Sequence, residues 1–176
     1  NCKFDAPAST SSVYAAYVST AYQNTFKNCQ FLGGGRCLYH SSSNFNVYDG
    51  CEFDGKGQAL YCVYLINSND SDNLFQNCFF HDCGATGYGI FANASQYGVM
   101  FWHNTVIVTT STSCVYAGNC CAWSRCNSYR DNIFVNLGTG TAMKYGCTAT
   151  LLDYNDFDYN CYYAPNTTKG AVEAEV

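Results

Sequence analysis

Charge is what this sequence has least of. Lys, Arg, Asp and Glu make up 12% of its 176 residues, too little for the solvated, self-repelling composition of a disordered chain. The eight Lys and Arg are scattered from Lys3 to Lys169, so no basic face for phosphate recognition can form and a nucleic-acid partner is excluded. Although 48% of residues are apolar, no run approaches the roughly eighteen residues of a membrane span. Proline occurs only at Pro7 and Pro165, and histidine only at His40, His81 and His103. No CxxC pair exists, and the three histidines fall at different phases of the repeat described below. Neither a zinc site nor a histidine triad is expected, and no cofactor is implied.

Cysteine, by contrast, is abundant. Thirteen cysteines are rarely tolerated in a reducing cytosol without metal or catalytic use, so the expected setting is extracellular or cell-surface. The chain starts at Asn1 without a signal-peptide pattern, which reads as a processed or excised segment of an exported protein. Three glycosylation triplets, beginning at Asn69, Asn93 and Asn166, fit that setting and mark candidate sites for covalent glycans.

A repeat organises the whole chain. Cys or Asn, followed two residues later by an apolar, mostly aromatic residue, recurs as Cys2/Phe4, Cys29/Phe31, Cys51/Phe53, Cys78/Phe80, Asn104/Val106, Asn132/Phe134 and Asn160/Tyr162, at intervals of 22 to 28 residues. Three residues before the first member stands another aromatic: Phe26, Tyr48, Phe75, Phe101, Tyr129 and Phe157. Residues two apart share a strand face, and an odd step of three requires a bend. A third apolar element follows about ten residues on, at Tyr14, Leu38-Tyr39, Val63-Tyr64, Ile90-Phe91, Val115-Tyr116 and Met143-Lys144-Tyr145. Three short strands per repeat, with turns such as Gly33-Gly34-Gly35 between them, predict an all-β parallel solenoid of about six to seven coils over residues 1–163. The remaining residues, 164–176, form a tail whose alternation of apolar and acidic residues suits an added strand or a cover for a joint.

The stretches NTFKNCQF, DNLFQNCFF, FWHNTVIV, YRDNIFVN and DYNCYY resemble the coil signature of the right-handed parallel β-helix, or pectate-lyase-like, superfamily. That resemblance implies the fold and leaves activity open among polysaccharide lyases, glycosidases, epimerases, adhesins and fibres. It also implies an asparagine ladder at Asn104, Asn132 and Asn160. A second column, Asn24, Asn46, Asn73, Asn127 and Asn155, is interrupted by Val99.

Cys2, Cys29, Cys51 and Cys78 share one column, and Cys37 and Cys62 another. Two readings stay open for them: disulfides between adjacent coils, or stacked buried thiols. For Cys120 or Cys121 with Cys147, one coil apart, a bridge is expected. Thirteen is odd, so at least one thiol stays free or pairs outside the chain. The one acidic cluster, Asp153, Asp156 and Asp158, lies one coil from Arg130; Asp156 and Asp158 share a strand face, but a cross-coil ion pair of Arg130 with Asp158 is the simpler reading. Trp102 and Trp123 do not by themselves make a sugar platform. The residues therefore favour a structural protein over an enzyme: a filament or surface-fibre subunit that self-associates end to end. The alternative is a carbohydrate-active or carbohydrate-binding β-helix.

Overall fold

The computed structural model describes residues 1–9, 12–65, 71–93, 98–118, 127–146, 156–168 and 170–174. Every regular element among them is a β-strand, and no helix is long and apolar enough to cross a membrane. The chain winds as a right-handed parallel β-solenoid with three faces. The first stacks β1 (Lys3–Ala8), β4 (Gln30–Gly34), β7 (Glu52–Asp54), β10 (Phe79–His81), β13 (Thr105–Val108), β16 (Ile133–Asn136) and β19 (Cys161–Tyr163). The second stacks β2 (Tyr14–Ser19), β5 (Arg36–Ser41), β8 (Tyr61–Leu65), β11 (Tyr88–Asn93), β14 (Ser113–Gly118), β17 (Thr141–Gly146) and β20 (Val172–Ala174). The third stacks β3 (Thr25–Lys27), β6 (Val47–Asp49), β9 (Leu74–Gln76), β12 (Met100–Trp102), β15 (Ser128–Arg130) and β18 (Asp156–Asp158). Pairing within each face is parallel; an antiparallel bridge, Tyr14 to Gly34, joins the first two.

The interior is built from like residues stacked on like. Phe26, Tyr48, Phe75, Phe101, Tyr129 and Phe157 stand in register. Their rings stack nearly parallel, with centroids 4.9 Å apart for Phe26 and Tyr48 and 4.5 Å for Tyr48 and Phe75. The column from Phe4 through Phe31, Phe53 and Phe80 does the same, and Val106 takes its place one coil on. Leu38, Val63, Ile90, Val115 and Met143 close the third wall, all fully buried. Offset stacking adds about 0.5–1.5 kcal/mol per aromatic pair beyond the area removed from water.

One backbone device makes the bend that the odd spacing demands. The residue just before each Cys or Asn of the motif has a left-handed backbone: Asn28, Gly50, Asn77, His103, Asp131 and Tyr159 all have φ between 51° and 63°. Gln23, Phe45, Asp72 and Gly98 do the same ahead of the second ladder. A single left-handed residue turns the chain and resets which face the next side chain takes.

The ladders satisfy the polar groups those bends expose. Asn104 Oδ1 accepts from the Cys78 amide at 2.9 Å and its Nδ2 donates to the Phe75 carbonyl at 2.9 Å; Asn132 and Asn160 repeat the arrangement on Asn104 and Asn132, reaching the Phe101 and Tyr129 carbonyls. In the second column Asn46 Oδ1 accepts from the Asn24 amide, Asn73 Oδ1 from Asn46, and Asn127 Oδ1 from Val99, so the ladder is interrupted where valine lacks a side-chain oxygen and resumes at its amide. Asn155 lies outside the described residues.

The cysteines correct the sequence reading. All nine described cysteines, including the bridge candidates Cys2, Cys29, Cys37, Cys51, Cys62 and Cys78, are free thiols; Cys120, Cys121 and Cys147 lie outside the described residues. Thiols of adjacent coils, Cys51 with Cys78 and Cys62 with Cys37, interact without bonding, and several also have carbonyl partners. Cys51 Sγ donates to Phe26 O at 3.3 Å, Cys78 Sγ to Tyr48 O at 3.4 Å, and Cys62 Sγ to His81 O at 3.3 Å. The Cys51 thiol and burial push Cys78 far up, the Cys37 thiol and burial raise Cys62, and burial alone dominates at Cys114. The described thiols therefore give no disulfide support for an extracellular setting.

The tail uses its strand within this chain. Strand β20 pairs with β17, placing Val172 beside Met143 and Glu173 beside Lys144.

Candidate functional site

The outer side of the first face carries the ionisable groups that converge. Strand pairing puts His81 beside Asp54 and Phe79 beside Glu52. His81 is the last residue of β10, and the next, Asp82, has φ +52°, a left-handed turn after which its carboxylate reaches the imidazole. Asp54 ends β7, and its Oδ1 accepts from the Lys56 amide at 2.7 Å in a tight turn.

The result is an imidazole between carboxylates. His81 Nδ1 is 2.9 Å from Asp82 Oδ2 and 3.9 Å from Asp54 Oδ1, while Nε2 is 3.1 Å from Glu52 Oε1. The ring also stacks on Phe79 at 4.4 Å. Burial alone would lower the His81 pKa; the bonds to Asp82 and Glu52 and the charge of Asp54 outweigh it and leave it raised above 6.5. Alongside, Lys56 and Lys3 form ion pairs with Asp5, and Gln30 Nε2 donates to Glu52 Oε2 at 2.7 Å.

One ligand atom each of Asp54, His81 and Asp82 lies within 4.8 Å of the others. Two carboxylates and an imidazole suit zinc or manganese. They do not suit calcium, which takes six to eight oxygens, so the calcium chemistry of the lyases is not built here. What the trio can do unaided is proton transfer: a protonated imidazole as donor and carboxylates as acceptors or nucleophile.

This cluster overturns the expectation against an enzyme. Comparing histidines only with one another hid it, because His81 meets carboxylates and not His40 or His103. The signal was in the repeat: Asp54 and His81 each stand three residues after the motif cysteine, Cys51 and Cys78.

The other candidates are placed elsewhere. His40 is fully buried at the edge of the Tyr48 ring, and His103 is an exposed bend residue 3.8 Å from Asp131. Arg130 is beside Asp158 in register, but its Nε donates to Asp156, which also accepts from Ser128 Oγ. Asp156, Asp158 and Arg130 therefore sit on the third face, away from the His81 cluster; Asp153 lies outside the described residues. Trp102, on the same face as Arg130, donates from Nε1 to Ser128 Oγ at 3.0 Å, and Trp123 lies outside the described residues. Asn166 is exposed with Nδ2 bonded to Leu137 O, Asn93 ends β11, and Asn69 lies outside the described residues.

Among curated proteins and among solved structures nothing matches the chain. The model of the right-handed β-helix region matches residues 1–176, in agreement with the three stacked faces and in-register ladders. The chain belongs to the right-handed β-helix family.

Proposed function

We propose that the protein is a carbohydrate-active β-helix that cleaves glycosidic bonds of a polysaccharide outside the cell. The observation that carries this reading is the convergence of Asp54, Asp82 and His81 from adjacent coils on an outer sheet face. His81, whose pKa its carboxylate neighbours raise against the effect of burial, is the proton donor to the leaving oxygen. Asp54, held by the Lys56 amide, is the carboxylate beside it that serves as base. The fibre reading has less support, since the tail strand, expected to add to a neighbour or to cover a joint, pairs with β17 of its own chain.

The test is incubation with a panel of soluble neutral and acidic polysaccharides, following new reducing ends and the ultraviolet absorbance of unsaturated products. Reducing ends without that absorbance, lost by a factor of at least about 100 in Asp54→Asn and Asp82→Asn, are expected for acid–base hydrolysis. No cleavage of any member, or cleavage unaffected by both substitutions, overturns the proposal.

A further inference from the structure

The inner side of the first face holds a file of thiols that the His81 cluster does not use. Cys2, Cys29, Cys51 and Cys78 take the same position in four successive coils, because the residues after the first three pairs, Lys3 with Gln30, Gln30 with Glu52 and Glu52 with Phe79, stand in register. Their carbonyls follow the same order: Cys2 O accepts from the Gln30 amide at 2.8 Å, Cys29 O from Glu52 at 2.9 Å and Cys51 O from Phe79 at 2.9 Å. Cys29, Cys51 and Cys78 are 5%, 1% and 2% exposed, whereas Cys2 is open to solvent. The file stops at Asn104, the next member of the column, whose Oδ1 accepts from the Cys78 amide. At the opposite end a cavity of about 410 Å³ is lined by both Cys2 and Cys29.

This spacing suits neither a disulfide nor a tetrahedral metal site. The closest pair of cysteine sulfurs is 4.4 Å apart, against about 2.05 Å for a sulfur–sulfur bond. A tetrahedral ion needs four ligands round one point, and sulfurs in single file offer an ion only two at a time. A metal–thiolate bond is about 2.3 Å, so two such bonds in line span about 4.6 Å. That length falls between the closest sulfur separation and the coil step of about 4.8 Å. Stacked side chains stand across the solenoid axis, so an ion between two of them bonds along the axis, nearly at right angles to each Cβ–Sγ bond. Soft thiolates select Cu(I), and a filled-shell monovalent ion of that kind takes two ligands in line. The thiol protons already occupy the gaps between coils: Cys51 Sγ donates to Phe26 O and Cys78 Sγ to Tyr48 O, both carbonyls of the preceding coil. A cation that replaces such a proton keeps the same carbonyl dipole beside it.

We propose that the file Cys2, Cys29, Cys51, Cys78 is a binding site for soft monovalent metal ions of the Cu(I) class, each ion bridging the sulfurs of two adjacent coils and entering through the cavity at Cys2 and Cys29. Filling converts four thiols and three ions into one chain of four thiolates joined by three ions. Four protons leave, no electron moves, and the chain carries one negative charge. Because each ion needs two neighbouring sulfurs, losing an inner sulfur costs two ions, while losing the last one costs a single ion. The His81 cluster lies on the outer side of the same face and contributes no ligand, so this site stands or falls apart from the catalytic reading.

The test loads the folded, reduced protein with Ag(I), the redox-silent analogue of Cu(I), in chloride-free buffer. Loosely held ions are removed by desalting through methionine, and the silver retained per chain is counted by mass spectrometry. Cys51→Ser should retain two ions fewer than the parent and Cys78→Ser one fewer. Cys161→Ser, which removes an exposed cysteine at the far end of the face, should retain as many as the parent. Zn(II) carried through the same steps should show no difference among these proteins. Iodoacetamide should label Cys2 at least tenfold more slowly after silver loading than before it. Circular dichroism checks each fold; if Cys51→Ser does not fold, Cys29→Ser, expected to lose at least two ions, takes its place. Equal retention in all variants, a loss of no more than one ion from each as separate thiols would show, or a Cys2 label unslowed by loading overturns the proposal.

Discussion

Cys78 and Asn104 do the same work one coil apart, and they are bonded to each other. The Cys78 amide donates to Asn104 Oδ1 at 2.9 Å, the Asn104 amide nitrogen Nδ2 reaches Phe75 O at 2.9 Å, and the Cys78 thiol reaches the matching Tyr48 carbonyl at 3.4 Å. The thiol replaces the donor half of the ladder and not its acceptor half. Asn104→Ala, which leaves both the Cys78 amide and the Phe75 carbonyl open in the interior, should cost about 2–4 kcal/mol in urea unfolding. Asn104→Cys, which restores the donor alone, should cost clearly less. Equal losses in the two variants would refute the equivalence.

Thiol reactivity tests the interior directly. Iodoacetamide without reductant should label Cys2 and Cys161 in the folded protein and leave Cys29, Cys37, Cys51, Cys62, Cys78, Cys83 and Cys114 protected, since only the first two are exposed. In denaturant all nine should react. Peptide mapping that finds any of them oxidised, or a buried one labelled as fast as Cys2, would contradict the packing.

The His81 cluster makes stability depend on pH. Its folded pKa is raised above that of the unfolded chain, so its contribution is complete below about pH 6.5 and is lost as pH rises through the folded value. Urea midpoints should therefore fall across that window, and His81→Gln should flatten the decline. Glu52→Gln and Asp82→Asn should each bring the His81 titration, followed by NMR, back toward its ordinary value. A midpoint that rises over the same window would reverse the sign and reject the pairing.

Gly33 has φ +75°, and a Cβ there would stand 2.3 Å from the backbone oxygen of Ala6. Gly33→Ala should destabilise by about 1–3 kcal/mol, by the cost of a strained left-handed residue and a displaced β1. A variant as stable as the parent would show that β1 is not packed against this turn.

Much of this fold is written in the spacing of its aromatics. The two interior columns follow from Phe26 to Phe157 and Phe4 to Tyr162 because burial forces like residues to recur at one phase. The outer faces are less legible. Side chains there are not selected by a shared core, and the loops before the third strand vary in length. Aligning the third element on Tyr14 put Ala15 beside Tyr39, whereas Tyr17 stands there, and so the column of Tyr17, Tyr39 and Tyr64 on the second face was missed. Lys144, not Tyr145, follows Tyr116 for the same reason. Asp82 could not be placed from spacing at all, because its reach to His81 depends on one left-handed residue. For the column cysteines the sequence left disulfides and stacked thiols both open, because a spacing of one coil suits either; the described thiols are free.

The polarity of the asparagine ladder gives the molecule an arrow. Each Asn oxygen completes an amide of the preceding coil, so the Cys78 amide waits for Asn104, Asn104 for Asn132, and Asn132 for Asn160. A coil emerging from the ribosome is thus finished only by its successor, and assembly in the order of synthesis closes one outstanding bond at every step. Fraying from the C-terminal side reopens those bonds one at a time, and a nick inside the ladder strands the amide just upstream of it.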